Sequence, residues 1–290
     1  MRSDRIWATL FAMTTERLLP VNGVELCVQT FGEPTDPAIL LIAGASSPMT
    51  FWEDEFCARL TDRYVIRYDL RDTGRSVTYP PGQPGYGFLD LIEDAVGVLD
   101  ALDVASAHIV GFSMGGGIAQ LVALDHPDRV ATLTLIATSP SGPGADDLPP
   151  VSADAVEFFT HLPQPVWSDR TSVVEHVVGV LRWFSVGEFD EAAARAAVER
   201  DHDRTSSFAS SNNHQMVTGG EPWRARLDEL AAPTLVLHGT EDPLFGLAHA
   251  EALATEIPNA TLVMLPGVGH ELPKSSWDIV VPAILAHSKT

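Results

Sequence analysis

Apolar and polar positions along the chain fall into two alternating patterns. Short runs rich in β-branched residues recur: Val24 to Phe31, Ala38 to Ala43, Tyr64 to Tyr68, His108 to Val110, Ala131 to Ala137, Pro233 to Leu237 and Thr261 to Leu265. Ala38-Ile39-Leu40-Leu41-Ile42-Ala43 is apolar throughout, as a strand covered on both faces must be. Val24 to Phe31 alternates instead, and Asn22-Gly23 before it predicts a hairpin turn back to Leu18-Leu19. Between strands, Phe88, Leu91, Ile92, Ala95, Val98, Leu99 and Leu102 recur at helical spacing, and Ile118 to Leu124 predicts a helix that stops at His126-Pro127. Strands alternating with helices predict an α/β architecture with a largely parallel sheet.

One interval breaks this rhythm. The span from Ser139 to Leu227 is far too long for a connecting helix. It opens on the Pro/Gly/Asp-rich stretch Pro140 to Pro150 and then turns helical. Val173, Val174, Val177, Val178, Leu181 and Phe184 form one wide apolar face, and Asp190 to Asp201 is alanine-rich. The expected organisation is a core of residues 1–138 and 228–290 with a helical lid, residues 139–227, inserted between two strands. Phe158, Phe159, Trp167, Trp183, Phe184, Phe208 and Trp223 crowd that insertion. Most are expected to form its core. Trp183, Phe184 and His214 are the candidates for substrate contact, with a solvated role the competing expectation for His214.

Composition narrows the function. Of the 290 residues, 45% are hydrophobic and 20% charged, ordinary for a folded protein able to build a full core. Lys+Arg number 18 against 39 Asp+Glu, a net charge of −21. So acidic a surface repels phosphate backbones and anionic lipid, which argues against nucleic-acid and membrane partners and favours neutral or cationic small molecules. Only Lys274 and Lys289 supply lysine, so an ATP-binding P-loop and an internal Schiff-base site are excluded. Cys27 and Cys57 are expected to be unpaired thiols. No apolar run approaches the roughly 20 residues of a membrane span. The opening, Met1 to Met13, lacks the cleavage site of a signal peptide, and residues 1–12 read as a disordered extension if Met13 is the natural start. The expected compartment is the cytoplasm.

The chemistry concentrates at Gly111-Phe112-Ser113-Met114-Gly115, between a predicted strand and a predicted helix. A serine alcohol is a poor nucleophile unless its Oγ stands clear of the backbone beside a base. A sharp strand-to-helix turn presents it so, and the close packing there demands flanking glycines. About 0.1 such pentapeptides are expected by chance in a chain this long. Partners then follow in order. His238-Gly239-Thr240-Glu241-Asp242-Pro243 succeeds one strand, and Pro266-Gly267-Val268-Gly269-His270 succeeds the last. Acid and imidazole both fall at C-terminal strand ends, where open α/β sheets build their sites. Asp242 is the candidate acid, with Glu241 in reserve.

The order Ser113…Asp242…His270 resembles the α/β-hydrolase superfamily over nearly the whole chain, from about Leu18 to His287. Asp69-Leu70-Arg71-Asp72-Thr73-Gly74-Arg75-Ser76 is similar to that family's Asp-x-Arg-x-x-Gly-x-Ser loop. Ala43-Gly44-Ala45-Ser46 stands in place of its His-Gly-x oxyanion loop; Ala43 replaces the histidine, which leaves the backbone donor available and takes away its usual support. Within the superfamily, Arg71 to Ser76 and the lid length look most like actinomycete polyketide methylesterases. The resemblance implies a mostly parallel eight-stranded sheet flanked by helices, no cofactor and no metal. It further implies two-step hydrolysis of a carboxylic ester, with Ser113 as nucleophile, His270 as base, Asp242 as its partner, and the N–H groups of Ala45 and Met114 as oxyanion donors. Alanine at Ser113 or His270 is expected to cost roughly 10⁴–10⁶ in turnover.

Alternatives remain at this point. Lactonase, carbon–carbon hydrolase and perhydrolase chemistry use the same three residues, and a ligand-binding receptor could retain them with little turnover. A dinucleotide-binding turn at Gly111 to Gly117 competes formally, but the sequence lacks the Tyr-x-x-x-Lys pair of short-chain reductases and Asp242 and His270 would be left unexplained.

Overall fold

The computed structural model describes residues 15–140, 147–217 and 220–289. The segment 1–12 therefore lies outside the described residues. Eight strands form one sheet: β1 (Arg17–Val21), β2 (Val24–Phe31), β3 (Ala38–Ile42), β4 (Tyr64–Tyr68), β5 (Ala107–Phe112), β6 (Val130–Ile136), β7 (Thr234–Gly239) and β8 (Thr261–Leu265). Their spatial order is β1-β2-β4-β3-β5-β6-β7-β8. β2 runs antiparallel to β1 and β4, and every other pairing is parallel. Asn22 and Gly23 close the β1–β2 hairpin with φ of 46° and 77°, the left-handed pair that a two-residue hairpin turn requires.

The helices of the core are α1 (Asp54–Arg59), α2 (Phe88–Ala101), α3 (Met114–Asp125), α7 (Leu247–Glu256) and α8 (Trp277–His287). Alternate residues of the central strands point to opposite layers, so the continuous apolar runs serve two cores at once. Leu40, Ile42 and Ile66 pack with Leu91, Ile92 and Leu99 of α2 and Ile118 and Val122 of α3. Ile39, Leu41, Val65 and Val110 face Trp52, Phe56, Trp277, Val281 and Ile284. α2 presents its apolar stripe to the sheet, and its first turn is tied by Asp90, whose carboxylate accepts the Gly87 N–H at 2.8 Å.

Between β6 and β7 the chain forms α4 (Ala153–His161), α5 (Arg170–Phe184), α6 (Glu191–Arg204) and a 3-10 stretch, Phe208–Gln215. Each helix begins at a side-chain cap, with Ser152, Asp169 and Asp190 accepting backbone N–H groups of the first turn. α5 and α6 share a small core of Val174, Val178 and Val198. Trp223, expected among the insertion's aromatics, belongs instead to the main core. Its ring stacks on Phe88 at 6.0 Å, and its Nε1–H donates to Gln120 Oε1 at 2.9 Å. The apolar indole and its one donor are both satisfied there, which the insertion's small core could not do.

Candidate active site

Ser113 occupies the turn between β5 and α3 with φ 53° and ψ −119°, a conformation that costs a non-glycine residue roughly 1–3 kcal/mol. The neighbourhood enforces it. The Ser113 N–H donates to Ile136 O at 2.9 Å, while its carbonyl accepts from Gly116 N–H and from Thr138 Oγ1, both at 2.8 Å. A Cβ on Gly115 would stand 2.4 Å from Ile42 O and 2.5 Å from Ala43 O, and one on Gly111 would stand 2.2 Å from Gly115 O. Gly115 is thus required by the backbone-to-backbone approach of α3 to the end of β3, and Gly111 by that of β5 to α3. The Ser113 side chain makes no cap bond to its helix.

Its Oγ instead lies 3.0 Å from His270 Nε2, and His270 Nδ1 lies 2.8 Å from Asp242 Oδ2. Asp242 Oδ1 accepts the N–H groups of Leu244 and Phe245 at 2.8 and 2.9 Å. Burial pushes the Asp242 carboxyl up, but the His270 hydrogen bond and charge, with the Phe245 N–H, outweigh it and hold the group below the usual carboxylate range. An ionised Asp242 requires the proton of the neutral imidazole to sit on Nδ1, leaving Nε2 to accept from the serine hydroxyl. Glu241, the reserve acid, is exposed, and Asp242 is the carboxylate that reaches His270.

The imidazole is walled by aromatic rings, with Phe112, Phe184 and Phe245 centred 5.1, 5.2 and 5.7 Å away. From Phe184 the contacts run outward through Trp183 and Phe159, and Phe158 stacks on Trp183 at 4.7 Å. Trp183 and Phe184 therefore stand on the side of His270 that faces the insertion. His270 is joined to that insertion by its backbone too, since its N–H donates to Phe184 O at 3.0 Å. The next residue adds a clamp: Glu271 accepts from Ser185 Oγ at 2.6 Å and from Val186 N–H at 3.0 Å.

Gly44 brings the turn after β3 against the serine, where a Cβ would come 3.3 Å from Ser113 Cβ. Among the described residues no acceptor meets the N–H of Ala45 or of Met114. Met114 opens α3, whose first-turn N–H groups have no intrahelical partners and carry the positive end of the helix dipole. No cluster of three His, Cys, Asp or Glu suited to a metal occurs among the described residues.

His214 departs from both roles considered for it. It is 5% exposed, so it is not a solvated residue, and each ring nitrogen is already bonded to backbone, Nδ1 to Ser46 N–H at 2.8 Å and Nε2 to Arg71 O at 2.7 Å. No nitrogen is left for a substrate. Arg71 and Asp72 brace the loops: Arg71 pairs with buried Asp94 at 2.7 and 2.8 Å, and Asp72 accepts from Tyr86 Oη and Asn213 Nδ2. Sequence reasoning missed Glu271 and Thr138. His238 donates from Nε2 to Phe245 O at 2.7 Å and steadies the turn around Asp242. Nothing local marks Glu271 or Thr138, because Ser185 and Ser113, their partners, lie 86 and 25 residues away.

A hydrolytic serine site on a sheet of this topology defines a class of protein, and the comparisons agree. Residues 37–274 match the family described by the alpha/beta hydrolase fold, and the chain belongs to that family. It is 33% identical over 94% of its length to rhodomycin D methylesterase DauP of Streptomyces sp. (strain C5), 98% of which is covered. Rhodomycin D methylesterase DnrP of Streptomyces peucetius shows the same identity and coverage. Among solved structures, a hydrolase from Pseudomonas aeruginosa PA01 is similar with a TM-score of 0.69 and 27% identity, over 94% of this chain and 97% of that one.

Proposed function

We propose that this chain is a serine carboxylic ester hydrolase acting on the methyl ester of a bulky, aromatic, largely apolar acid. The unbroken hydrogen-bonded series Ser113–His270–Asp242 carries the reading. Ser113 Oγ attacks the ester carbonyl as His270 Nε2 takes its proton, and Asp242 stabilises the imidazolium that forms. The N–H groups of Ala45 and Met114 hold the oxyanion. Collapse of the tetrahedral species expels the alcohol, which takes the proton from His270. Water then attacks the acyl-enzyme by the same route and regenerates Ser113.

The substrate class rests on two supports: identity to the rhodomycin D methylesterases, and the aromatic series from Phe158 and Phe159 through Trp183 and Phe184 to His270. Planar acyl groups stack on such walls. In this reading residues 139–227 are a lid that excludes water from the acyl-enzyme. The enzyme works in the cytoplasm, in keeping with two buried free thiols, Cys27 and Cys57.

The test compares wild type and Ser113→Ala on p-nitrophenyl butyrate and on the methyl ester of a polycyclic aromatic acid. Loss of roughly 10⁴–10⁶ in kcat in the variant is expected. Turnover retained in Ser113→Ala would sink the mechanism; methyl butyrate is measured beside the aromatic methyl ester, and indifference between those two would sink the substrate class.

A further inference from the structure

The turn after β3 has to aim a backbone N–H with only two long bonds of its own, Ser47 N–H to Gly44 O and Ser47 Oγ to Ala45 O, both at 3.3 Å. Alanine at position 43 offers no polar side chain, and Ser46, directly after Ala45, has φ of 59°. A serine in that left-handed region is strained and persists only where the surroundings over-determine it. Ser46 itself makes its two bonds to the far end of the insertion. The Ser46 N–H donates to His214 Nδ1 at 2.8 Å, and Ser46 Oγ donates to Ser211 O at 2.9 Å.

The opposite edge of the imidazole is equally fixed. A backbone N–H can only donate and a carbonyl can only accept, so the bonds to Ser46 N–H and Arg71 O set the proton on Nε2 and leave Nδ1 as acceptor. Burial pushes the His214 pKa down, which favours the neutral ring this requires. The ring is anchored through its neighbours as well. Asn213 donates to Asp72 at 2.9 Å and accepts from Gly82 N–H at 2.7 Å, and Ser210 Oγ donates to Tyr79 O at 2.7 Å. Arg71 itself is held by its bonds to Asp94.

We propose that His214 is a positioning residue for the oxyanion site: by fixing the Ser46 peptide it orients the adjoining peptide that carries the Ala45 N–H. It supplies from the insertion the support that Ala43 cannot. The proposal rests on the ester-hydrolase reading and deepens it, because it makes one end of the insertion part of the transition-state binding site. A histidine that merely fastened the 3-10 stretch to the Arg71 loop would affect stability and substrate affinity, with no selective effect on a developing oxyanion.

Three variants separate these roles. His214→Ala removes both bonds, His214→Asn keeps an acceptor near the Nδ1 position, and His214→Gln keeps a donor near the Nε2 position. For each, kcat and KM on p-nitrophenyl butyrate are measured beside the melting temperature and the Ki of an alkyl trifluoromethyl ketone, whose adduct with Ser113 is itself an oxyanion. His214→Ala and His214→Gln are expected to lose about 10- to 100-fold in kcat with KM within about threefold, less than outright loss of a donor. Their Ki should rise by the same factor, and His214→Asn should retain most of both.

Unchanged kcat and Ki in folded His214→Ala would overturn the proposal, as would rescue by Gln in place of Asn. If His214→Ala does not fold, the Asn and Gln pair decides by the same criterion. Absence of Ser113-dependent turnover in wild type would overturn the ester-hydrolase reading and this proposal together. Ser113-dependent turnover that is insensitive to His214 would overturn this one alone.

Discussion

Two turns face each other across the candidate site, and they are built in opposite ways. The Ser113 turn draws much of its shape from its own stretch of chain: Gly111 and Gly115 flank the serine and Gly116 N–H holds its carbonyl, with Thr138, 25 residues on, adding a second bond there. The turn after β3 is short of such help. Ser46 is held by Ser211 and His214, 165 and 168 residues further along the chain, Met49 N–H by Asp69 at 2.8 Å, and Thr50 Oγ1 by Asp201 of α6. Local construction leaves a pattern of small residues that a reader can find. Long-range construction leaves isolated polar residues whose meaning appears only when the chain has folded.

The largest effect that would sharpen this contrast is at Gly115. Gly115→Ala places a methyl group against two backbone carbonyls that cannot swing aside. We expect about 3 kcal/mol of lost stability in urea unfolding, together with at least about a 100-fold loss of turnover in whatever still folds. A fully active, equally stable variant would show that the serine turn is not set by this close approach.

Asp201 tests the long-range side through pH. Burial raises its carboxyl to about 6 from an ordinary value of 3.8, the Thr50 hydrogen bond and nearby arginines only partly opposing. The protonated form is favoured on folding, so its contribution is fully present below about 3.8 and is lost as pH rises through about 6. Asp201→Asn keeps an acceptor for Thr50 and removes that loss. Its melting temperature should exceed that of wild type at pH 8, by about 2 kcal/mol of stability, and converge with it near pH 4. Parallel curves across that range would remove Asp201 from the set of supports.

Smaller still is the effect at Glu271. Glu271→Ala frees Ser185 and Val186 from the His270 loop, while the bond from His270 N–H to Phe184 O remains. About 1 kcal/mol of stability and a three- to tenfold fall in kcat are expected, read by thermal unfolding and steady-state kinetics. A larger loss than at Gly115 would invert the comparison and make the insertion the principal scaffold of the site.

Much of this was legible before any coordinates. Continuous apolar runs marked the central strands because a doubly covered parallel sheet must be built of them, and Asn22-Gly23 marked its hairpin because few residue pairs tolerate that turn. Ser113, Asp242 and His270 were recognisable from their order at strand ends, and the fold brings them within hydrogen-bond reach. Trp223 misled because an aromatic residue in a long insertion looks the same whether it packs inside that insertion or beneath it. His214 misled for a related reason, since Asn212-Asn213-His214 reads as a polar surface stretch and is a buried connector.

By itself, then, the sequence determined what depends on neighbours: the strand and helix pattern, the glycine-flanked serine turn, and the placing of Ser113, Asp242 and His270 each after a strand. Tertiary structure alone decided which residues brace the turn after β3, how the insertion is fastened to the His270 loop, and where Trp223 and His214 belong. The division is physical. Backbone conformation and periodic burial are set over a few residues, whereas a hydrogen bond across more than a hundred residues is specified by geometry that no stretch of chain contains.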